Sequence, residues 1–487
     1  MASSPASGKG FSHFSYMVHS AIFLLITFFF GQLSPIEPLT PYGMKVVGVF
    51  LGVIYAWIFI DIIWPSMVGL LAIILLDVMP AGSLLNKSFG DVSVVMILFI
   101  FVFSAVLNKY GISKYISLWF VSRKCILHKP WLTTFALLAS ISTLGGLTSA
   151  TPAAVIGWGL LYGVFDICGY KKGEGYPIMM FIGSVFAAQL GMALIPFKAV
   201  PFVAISTYEK LSGVPIDYAS YMAIAITGCV CCLLMFVLVG KYLFRPDVSK
   251  LEKLDIAVLL KGETMTLNGT QKMLFGFLIA LIVLMMAPSF LPKDLMISAF
   301  CKKLGSAGIC ILLVAILFAI RIEGKELMSF KQAITEGVAW PIIFILCFTL
   351  PMAGPLADPK SGITQFMLLA MEPLFSANST VVFAVCMGVV AAAFTQCINN
   401  TAIAAIMMPV IFTYCSAKGV APELAVILVI NTCCLAFLTP AASSTAAMLH
   451  GNDWVPTKAI WKIAPILIAL SLIILSVVIY LAGSILF

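Results

Sequence analysis

The chain has 487 residues, 62% of them hydrophobic and only 10% charged, and its mean hydropathy is +1.11. Soluble domains carry about 25% charged residues, so a soluble enzyme with a single anchor is excluded. Crossing a bilayer takes roughly 20 apolar residues, and about ten runs of that kind are present, which makes this an all-α polytopic membrane protein. The formal net charge of +8 sits in short loops, which ties it to membrane topology rather than to nucleic acid.

After a short polar lead, an apolar run at 15–33 is long for a signal-peptide core and lacks a small-residue cleavage site, so it reads as a retained first helix. Further spans are expected near 43–61, 62–80 and 92–108, followed by a basic, partly amphipathic stretch from Lys109 to Lys129. A long apolar region at 131–169 holds a polar cluster at its middle, Gly145-Gly146-Leu147-Thr148-Ser149-Ala150-Thr151-Pro152. Next come 177–206, interrupted at Ile195-Pro196-Phe197-Lys198, and 218–243. A charged linker within 246–272 divides a first repeat, 1–245, from a second, 273–487. The second half offers spans at 273–291, 306–320 and 337–353 and a second polar-centred region at 379–416, with Thr395-Gln396-Cys397-Ile398-Asn399-Asn400-Thr401 in its middle. It closes with 422–448, interrupted at Leu438-Thr439-Pro440, and 460–485.

The two halves echo each other: a region with a polar centre, then a span broken by proline, which removes a backbone donor and frees carbonyls. In lipid every backbone polar group needs an internal partner, so broken helices and polar tips persist only against protein or a water-filled cavity. Paired interruptions in corresponding halves are the sequence pointer to a transporter's binding site. If 131–169 and 379–416 are re-entrant hairpins among about 11 transmembrane helices and the N-terminus is cytoplasmic, 19 of the 28 Lys and Arg lie inside and 8 outside, with Lys198 left within a span. That asymmetry obeys the positive-inside rule, puts the C-terminus outside, and makes the halves an inverted repeat.

No acid occurs in either tip. Ser149 and Thr151 offer hydroxyls; Asn399, Asn400 and Thr401 offer amides and a hydroxyl. Such donors in front of helix N-termini suit an anion, and the same loops can present carbonyls to sodium. Considered singly, each triplet also fits ordinary polar packing between membrane helices. The histidines, His13, His19, His128 and His450, show no metal spacing, and many of the 13 cysteines lie in apolar runs as small buried hydrophobes.

The hairpin motif, the proline-broken helix after it and the repeat arrangement resemble the divalent anion:sodium symporter family (dicarboxylate, citrate or sulfate) of the ion transporter superfamily. The resemblance covers nearly the whole chain in topology, with specific motifs confined to the two hairpin tips and the two breaks. It implies an elevator-type transporter, a homodimer, and Ser-Asn-Thr triplets that hold substrate carboxylates and help to form two sodium sites. Carried onto this sequence, the substrate residues are Ser149, Ala150, Thr151, Asn399, Asn400 and Thr401, with Pro440. The second sodium site takes Thr395, Ile398, Asn400 and Leu438; the first takes Gly145, Ser149 and Gly191.

Two departures stand out. The family asparagine that ligates the first sodium is Ala150 here, and Phe197-Lys198-Ala199-Val200 replaces Gly-Thr-Pro-Pro in the broken helix. A lysine within a span costs about 2.5–3.5 kcal/mol on insertion scales and marks function by default. Lys198 is therefore expected to stand in for the first sodium or to touch the anion, the alternative being that it snorkels to the interface. The expected function is alternating-access transport of small divalent organic anions, above all dicarboxylates, coupled to sodium, in the bacterial inner membrane. A sodium-independent exchanger is the nearest alternative. An intramembrane enzyme lacks a nucleophile–base pair or paired acids, and a non-transporting receptor on the same fold is the remaining reading.

Overall fold

The computed structural model describes residues 13–112, 115, 119, 129–253, 267–290, 295–371 and 380–486. Most of the basic stretch after Lys109, Lys124 included, and 254–266 of the charged linker lie outside these residues.

Nearly everything described is helix. The first half supplies α1 (His13–Phe29), α2 (Pro41–Phe59), α3 (Ile63–Leu75), α4 (Ala81–Lys87), α5 (Val92–Lys109), α6 (Pro130–Leu147), α7 (Ala150–Cys168), α8 (Gly175–Gly191), α9 (Ala199–Ser212) and α10 (Tyr218–Val239). The second supplies α11 (Gly269–Phe290), α12 (Met296–Ala319), α13 (Trp340–Ala357), α14 (Ile363–Met371), α15 (Thr380–Phe394), α16 (Asn400–Lys418), α17 (Glu423–Cys433), α18 (Ser444–His450) and α19 (Thr457–Leu486). Among the described residues nine helices are long and apolar enough to cross a membrane, or ten if the bent pair Phe330–Gly337 and Trp340–Leu356 is one span. The span expected at 306–320 begins earlier, at Met296, and breaks at Gly305, which takes φ +63°.

Local chemistry sets the boundaries. Thr40 accepts a bond from the Gly43 N–H and Pro41 opens α2, a side-chain cap followed by proline in the first turn. Asp217 caps α10 through the Ser220 N–H. The second arms of both polar-centred regions, α7 and α16, are each 19 residues long and each end on a left-handed glycine, Gly169 at φ +71° and Gly419 at φ +64°. An L side chain there is strained, which is why glycine stops both arms at the same place.

Apolar patterning is that of a protein in lipid. Met67, Leu71 and Leu75 recur every four residues along α3 and are all exposed, as are Ile473, Val477 and Leu481 on α19, while Leu475 and Ile479 between the latter are buried. Large apolar stripes of this kind are lipid-facing rather than core-facing. In α8, by contrast, nearly every residue is buried, so it runs through protein on all sides.

The chain forms two compact units. The first comprises the described residues within Met1–Leu98, Ala199–Ile216 and Val338–Cys433; the second takes Phe99–Lys198, Asp217–Gly337 and Cys434–Phe487. In the first, α2 packs on α1 and α3, α9 lies against α16 and α13, and α15 crosses α17. In the second, α6 packs on both α7 and α8, α10 runs beside α19, and α18 lies against α7 and α8. Both unit boundaries at Lys198–Ala199 and Cys433–Cys434 fall inside the two broken helices. Each unit thus holds one hairpin, the first half of that hairpin's own broken helix, and the second half of the other one.

Candidate functional site

In the second unit, α6 and α7 form a helical hairpin whose tip is Thr148-Ser149. The first arm crosses α8 through glycines: a Cβ on Gly145 would lie 2.3 Å from the Ala188 carbonyl oxygen, and one on Gly191 would lie 2.0 Å from that of Ser142. Small residues let backbones approach this closely. Gly145 and Gly191 are therefore close-packed at the crossing; the resemblance implies that both lie around the first sodium.

Helix α8 stops at Gly191, and the chain runs through turns from 192 to 198 before α9 begins. Lys198 turns inward from this break. Its Nζ donates to the carbonyls of Leu147 and Thr148, 2.8 Å each, so it does not snorkel. Those oxygens end α6, where the helix dipole leaves partial negative charge, and each bond is charge-assisted, worth about 1.5–3 kcal/mol. The ammonium thereby fills the C-terminal end of the first arm, while the N-terminal end of the second arm, at Ala150, has no side-chain cap. Ser149 sits extended at that N-terminus with an exposed side chain that makes no capping bond, and Ala150 is buried behind it. The Thr151 hydroxyl meets the Ser444 hydroxyl at 2.7 Å, at an exposed position.

Ser444 belongs to the second broken helix. Between Cys434 and Ser443 that segment has no helix, and α18 starts beyond it with Ser443 accepting the Ala446 N–H as its cap. Pro440 is exposed in the break, and the Leu438 carbonyl accepts from His450 Nε2 at 3.0 Å. Gln189, two residues before the end of α8, reaches the same segment. Its Nε2 lies 3.0 Å from the Ala436 carbonyl, 2.8 Å from Ser443 Oγ and 3.0 Å from Thr445 Oγ1. Neither Gln189 nor Ser443, Ser444 and Thr445 follows from triplet spacing; the one signal in the sequence is an amide inside an otherwise apolar α8.

In the first unit, α15 and α16 form the second hairpin. Asn399 caps α16, its side-chain oxygen accepting from the Thr401 and Ala402 N–H groups at 3.0 and 3.3 Å. Thr395 is fully buried, and its hydroxyl is shared between Asn400 Oδ1 at 3.0 Å and the Cys433 carbonyl at 2.8 Å. This brings Thr395 and Asn400 together with a carbonyl from the last residue of α17. Ile398 and Thr401 are buried beside them in the sequence, and Asn399 is exposed at the tip. Leu438, the fourth residue of the expected second sodium site, belongs to the other unit.

Among the described residues no group of three or more His, Cys, Asp or Glu could hold a metal ion. The donors at both tips are instead hydroxyls, amides, carbonyls and one ammonium. Membrane-length helices, two hairpins with acid-free polar tips and two broken helices that follow them define a secondary transporter. A model of the sodium:sulfate symporter transmembrane region matches residues 12–487, and the chain belongs to that family. It is an integral membrane protein that transports anions, not an enzyme. No curated protein matched the sequence. Among solved structures, the fold is similar to the YdaH transporter of Alcanivorax borkumensis, described as having an unusual topology, at TM-score 0.56 and 13% identity over 82% of this chain and 86% of that one. It is also similar to MtrF of Neisseria gonorrhoeae, described within a class of antimetabolite efflux pumps, at TM-score 0.55 and 14% identity over 84% and 83%. At such identities the likeness is one of fold alone.

Proposed function

We propose that the protein carries small divalent organic anions, dicarboxylates above all, across the cell's inner membrane by an elevator-like alternating-access motion. The observation that carries this reading is Lys198, a fixed cation held on the Leu147 and Thr148 carbonyls beside an acid-free hairpin tip. The Ser149 and Thr151 hydroxyls then serve a carboxylate of the substrate at their tip. Sodium couples through the Thr395, Asn400 and Cys433 oxygens, and the ammonium of Lys198 takes the place of the first ion.

The proposed topology keeps the N-terminus and the charged linker cytoplasmic, 131–169 and 379–416 re-entrant, and the halves inverted. Contacts within each unit agree with it, because loops assigned to one side bond to one another. Lys210 pairs with Asp91 at 2.6 Å and Thr40 bonds the Lys360 carbonyl, all assigned outside. Lys250 pairs with Glu174 at 2.7 Å and Lys109 bonds the Leu327 carbonyl, all assigned inside. The hydrogen bond from Lys250 also holds the Glu174 carboxyl below its ordinary range.

A second reading is favoured by the same lysine. A tethered ammonium cannot leave with the substrate, so the empty carrier keeps a charge that needs an anion before it crosses, which favours obligatory exchange. Uptake of radiolabelled succinate into proteoliposomes separates the two. Sodium-stimulated uptake into empty vesicles, with the stimulation lost in Asn400→Ala, supports coupling. Uptake indifferent to sodium but requiring internal dicarboxylate establishes the exchanger, and no uptake in either mode overturns the substrate class.

The hydroxyls are tested separately. Thr151→Val and Thr401→Val keep volume and remove one hydroxyl each. Each is expected to weaken anion binding by about 1–3 kcal/mol, roughly 5- to 150-fold, in competition assays on folded protein. Unchanged affinity in both variants removes these hydroxyls from the site.

A further inference from the structure

Gln189 is 1% exposed, and its Oε1 is buried without a hydrogen-bond partner. Its Nε2 faces three oxygens instead: the Ala436 carbonyl, Ser443 Oγ and Thr445 Oγ1, all within 3.0 Å. Those oxygens are also close to one another, with Ser443 Oγ 2.8 Å from the Ala436 carbonyl and 2.9 Å from Thr445 Oγ1. The arrangement is a triangular oxygen face with one amide group standing over it. An amide nitrogen has two hydrogens for three partners, while the amide oxygen, which could accept two bonds, has none. A buried acceptor in that state carries its full desolvation cost.

We infer that this cluster is a binding site for a monovalent hard cation, sodium, formed by Gln189, Ala436, Ser443 and Thr445. Rotation of the Gln189 amide by half a turn about its last bond, a soft two-fold torsion, exchanges Nε2 for Oε1 over the face. Four neutral oxygens then converge on one point: an amide oxygen, a backbone carbonyl and two hydroxyls. With the amide nitrogen inward the carbonyl is satisfied and Oε1 is orphaned. With a cation in the cage Oε1 gains the ion as its partner, the Ala436 carbonyl keeps the Ser443 hydroxyl and adds the ion, and the amide NH2 takes the former place of Oε1. Ion binding and amide rotation are therefore one event, whose gain is the ion's ligation less the cost of that displaced donor. Oxygen-only ligation suits a hard cation, and the lack of any carboxylate disfavours a divalent one. The frame is an unwound segment whose freed carbonyl faces a neighbouring helix, which is how broken helices hold coupling ions.

The placement gives the ion a purpose. Ser443 is adjacent to Ser444, whose hydroxyl meets that of Thr151 at the first hairpin tip. The neutral ligands leave the ion's positive charge uncancelled one residue from Ser444, the partner of the Thr151 hydroxyl proposed to bind the anion. This site shares no residue with the Thr395–Asn400 cluster and does not depend on which anion is carried.

Equilibrium binding of radioactive sodium to the purified full-length protein tests it, with thermal unfolding measured with and without sodium. Thr445→Val and Ser443→Ala are expected to lose a component of sodium binding, with affinity at least tenfold weaker, that Asn400→Ala retains. Gln189→Glu keeps an oxygen for the cage and adds charge, so sodium should raise its unfolding temperature more than that of the wild type. A merely structural amide predicts instead that Gln189→Glu sets a carboxylate against the Ala436 carbonyl and is destabilised whether or not sodium is present; that result overturns the site. Sodium binding unchanged in both hydroxyl variants but lost in Asn400→Ala also overturns it, and leaves the coupling reading intact. No sodium binding by the wild type overturns both, and leaves anion exchange.

Discussion

Replacing Lys198 with methionine is expected to cut the initial rate of anion uptake by about 100-fold. The figure corresponds to roughly 3 kcal/mol, the worth of one strong charge-assisted bond. Methionine keeps an unbranched apolar stem, one atom shorter, but leaves the Leu147 and Thr148 carbonyls without the donor that holds them at 2.8 Å. It also removes the fixed positive charge beside the Ser149–Thr151 tip. Lys198→Arg should be nearly as poor, because a planar fork cannot replace a point charge converging on two adjacent carbonyls. The informative variant is Lys198→Ala combined with Ala150→Asn, which deletes the ammonium and restores an amide oxygen two residues after Thr148. Recovery of part of the rate, now dependent on sodium, shows that the ammonium stands in for an ion. Near-normal uptake by Lys198→Met, with unchanged sodium dependence, shows that the side chain only braces the hairpin.

Gly145→Ala and Gly191→Ala are expected to be the most damaging methyl additions where the hairpin crosses α8. The added carbon would meet a backbone oxygen at 2.3 Å in one case and 2.0 Å in the other, and backbone cannot swing aside as a side-chain end can. The helices must separate, at a cost of about 1–3 kcal/mol or more for overpacking. Gly145 lies three residues before Thr148, so separation of α6 from α8 also displaces the carbonyls that hold Lys198. Both variants should therefore lose transport along with stability. Gly159→Ala on α7 is the control: a Cβ there meets nothing within 4 Å, so it should leave activity unchanged and stabilise slightly through helix propensity. Thermal unfolding and uptake measured together check the pair. Wild-type values in both crossing variants would show that these glycines are not at a close contact.

The departures from the family pattern illustrate where reading a sequence stops. Ala150 and Lys198 are visible as a lost ligand and a gained charge, yet they are 48 residues apart in the chain. Only the fold brings Lys198 back to the residues that precede Ala150. Gly145 and Gly191 stand out as motif positions, and their close approach to Ala188 and Ser142 is a property of two crossing helices that no spacing encodes. Gln189 shows the converse. It stands out as a polar residue in an apolar helix, but its partners lie more than 240 residues away.

By itself the sequence determined the class of molecule and the position of its interruptions. Hydrophobic run length is a local property, set by bilayer thickness, and it reports spans directly. Proline and clustered small polar residues act on their own turn of backbone, so both hairpin tips and both breaks were legible. The tertiary structure decided how these pieces combine: the first half of each broken helix packs with its own hairpin, and the second half with the other one. It also decided that Lys198 faces inward and that Thr395 joins Asn400 to the Cys433 carbonyl. Those outcomes depend on which buried polar group finds which partner. In lipid that pairing is settled between distant segments, because no water is present to satisfy each group where it stands.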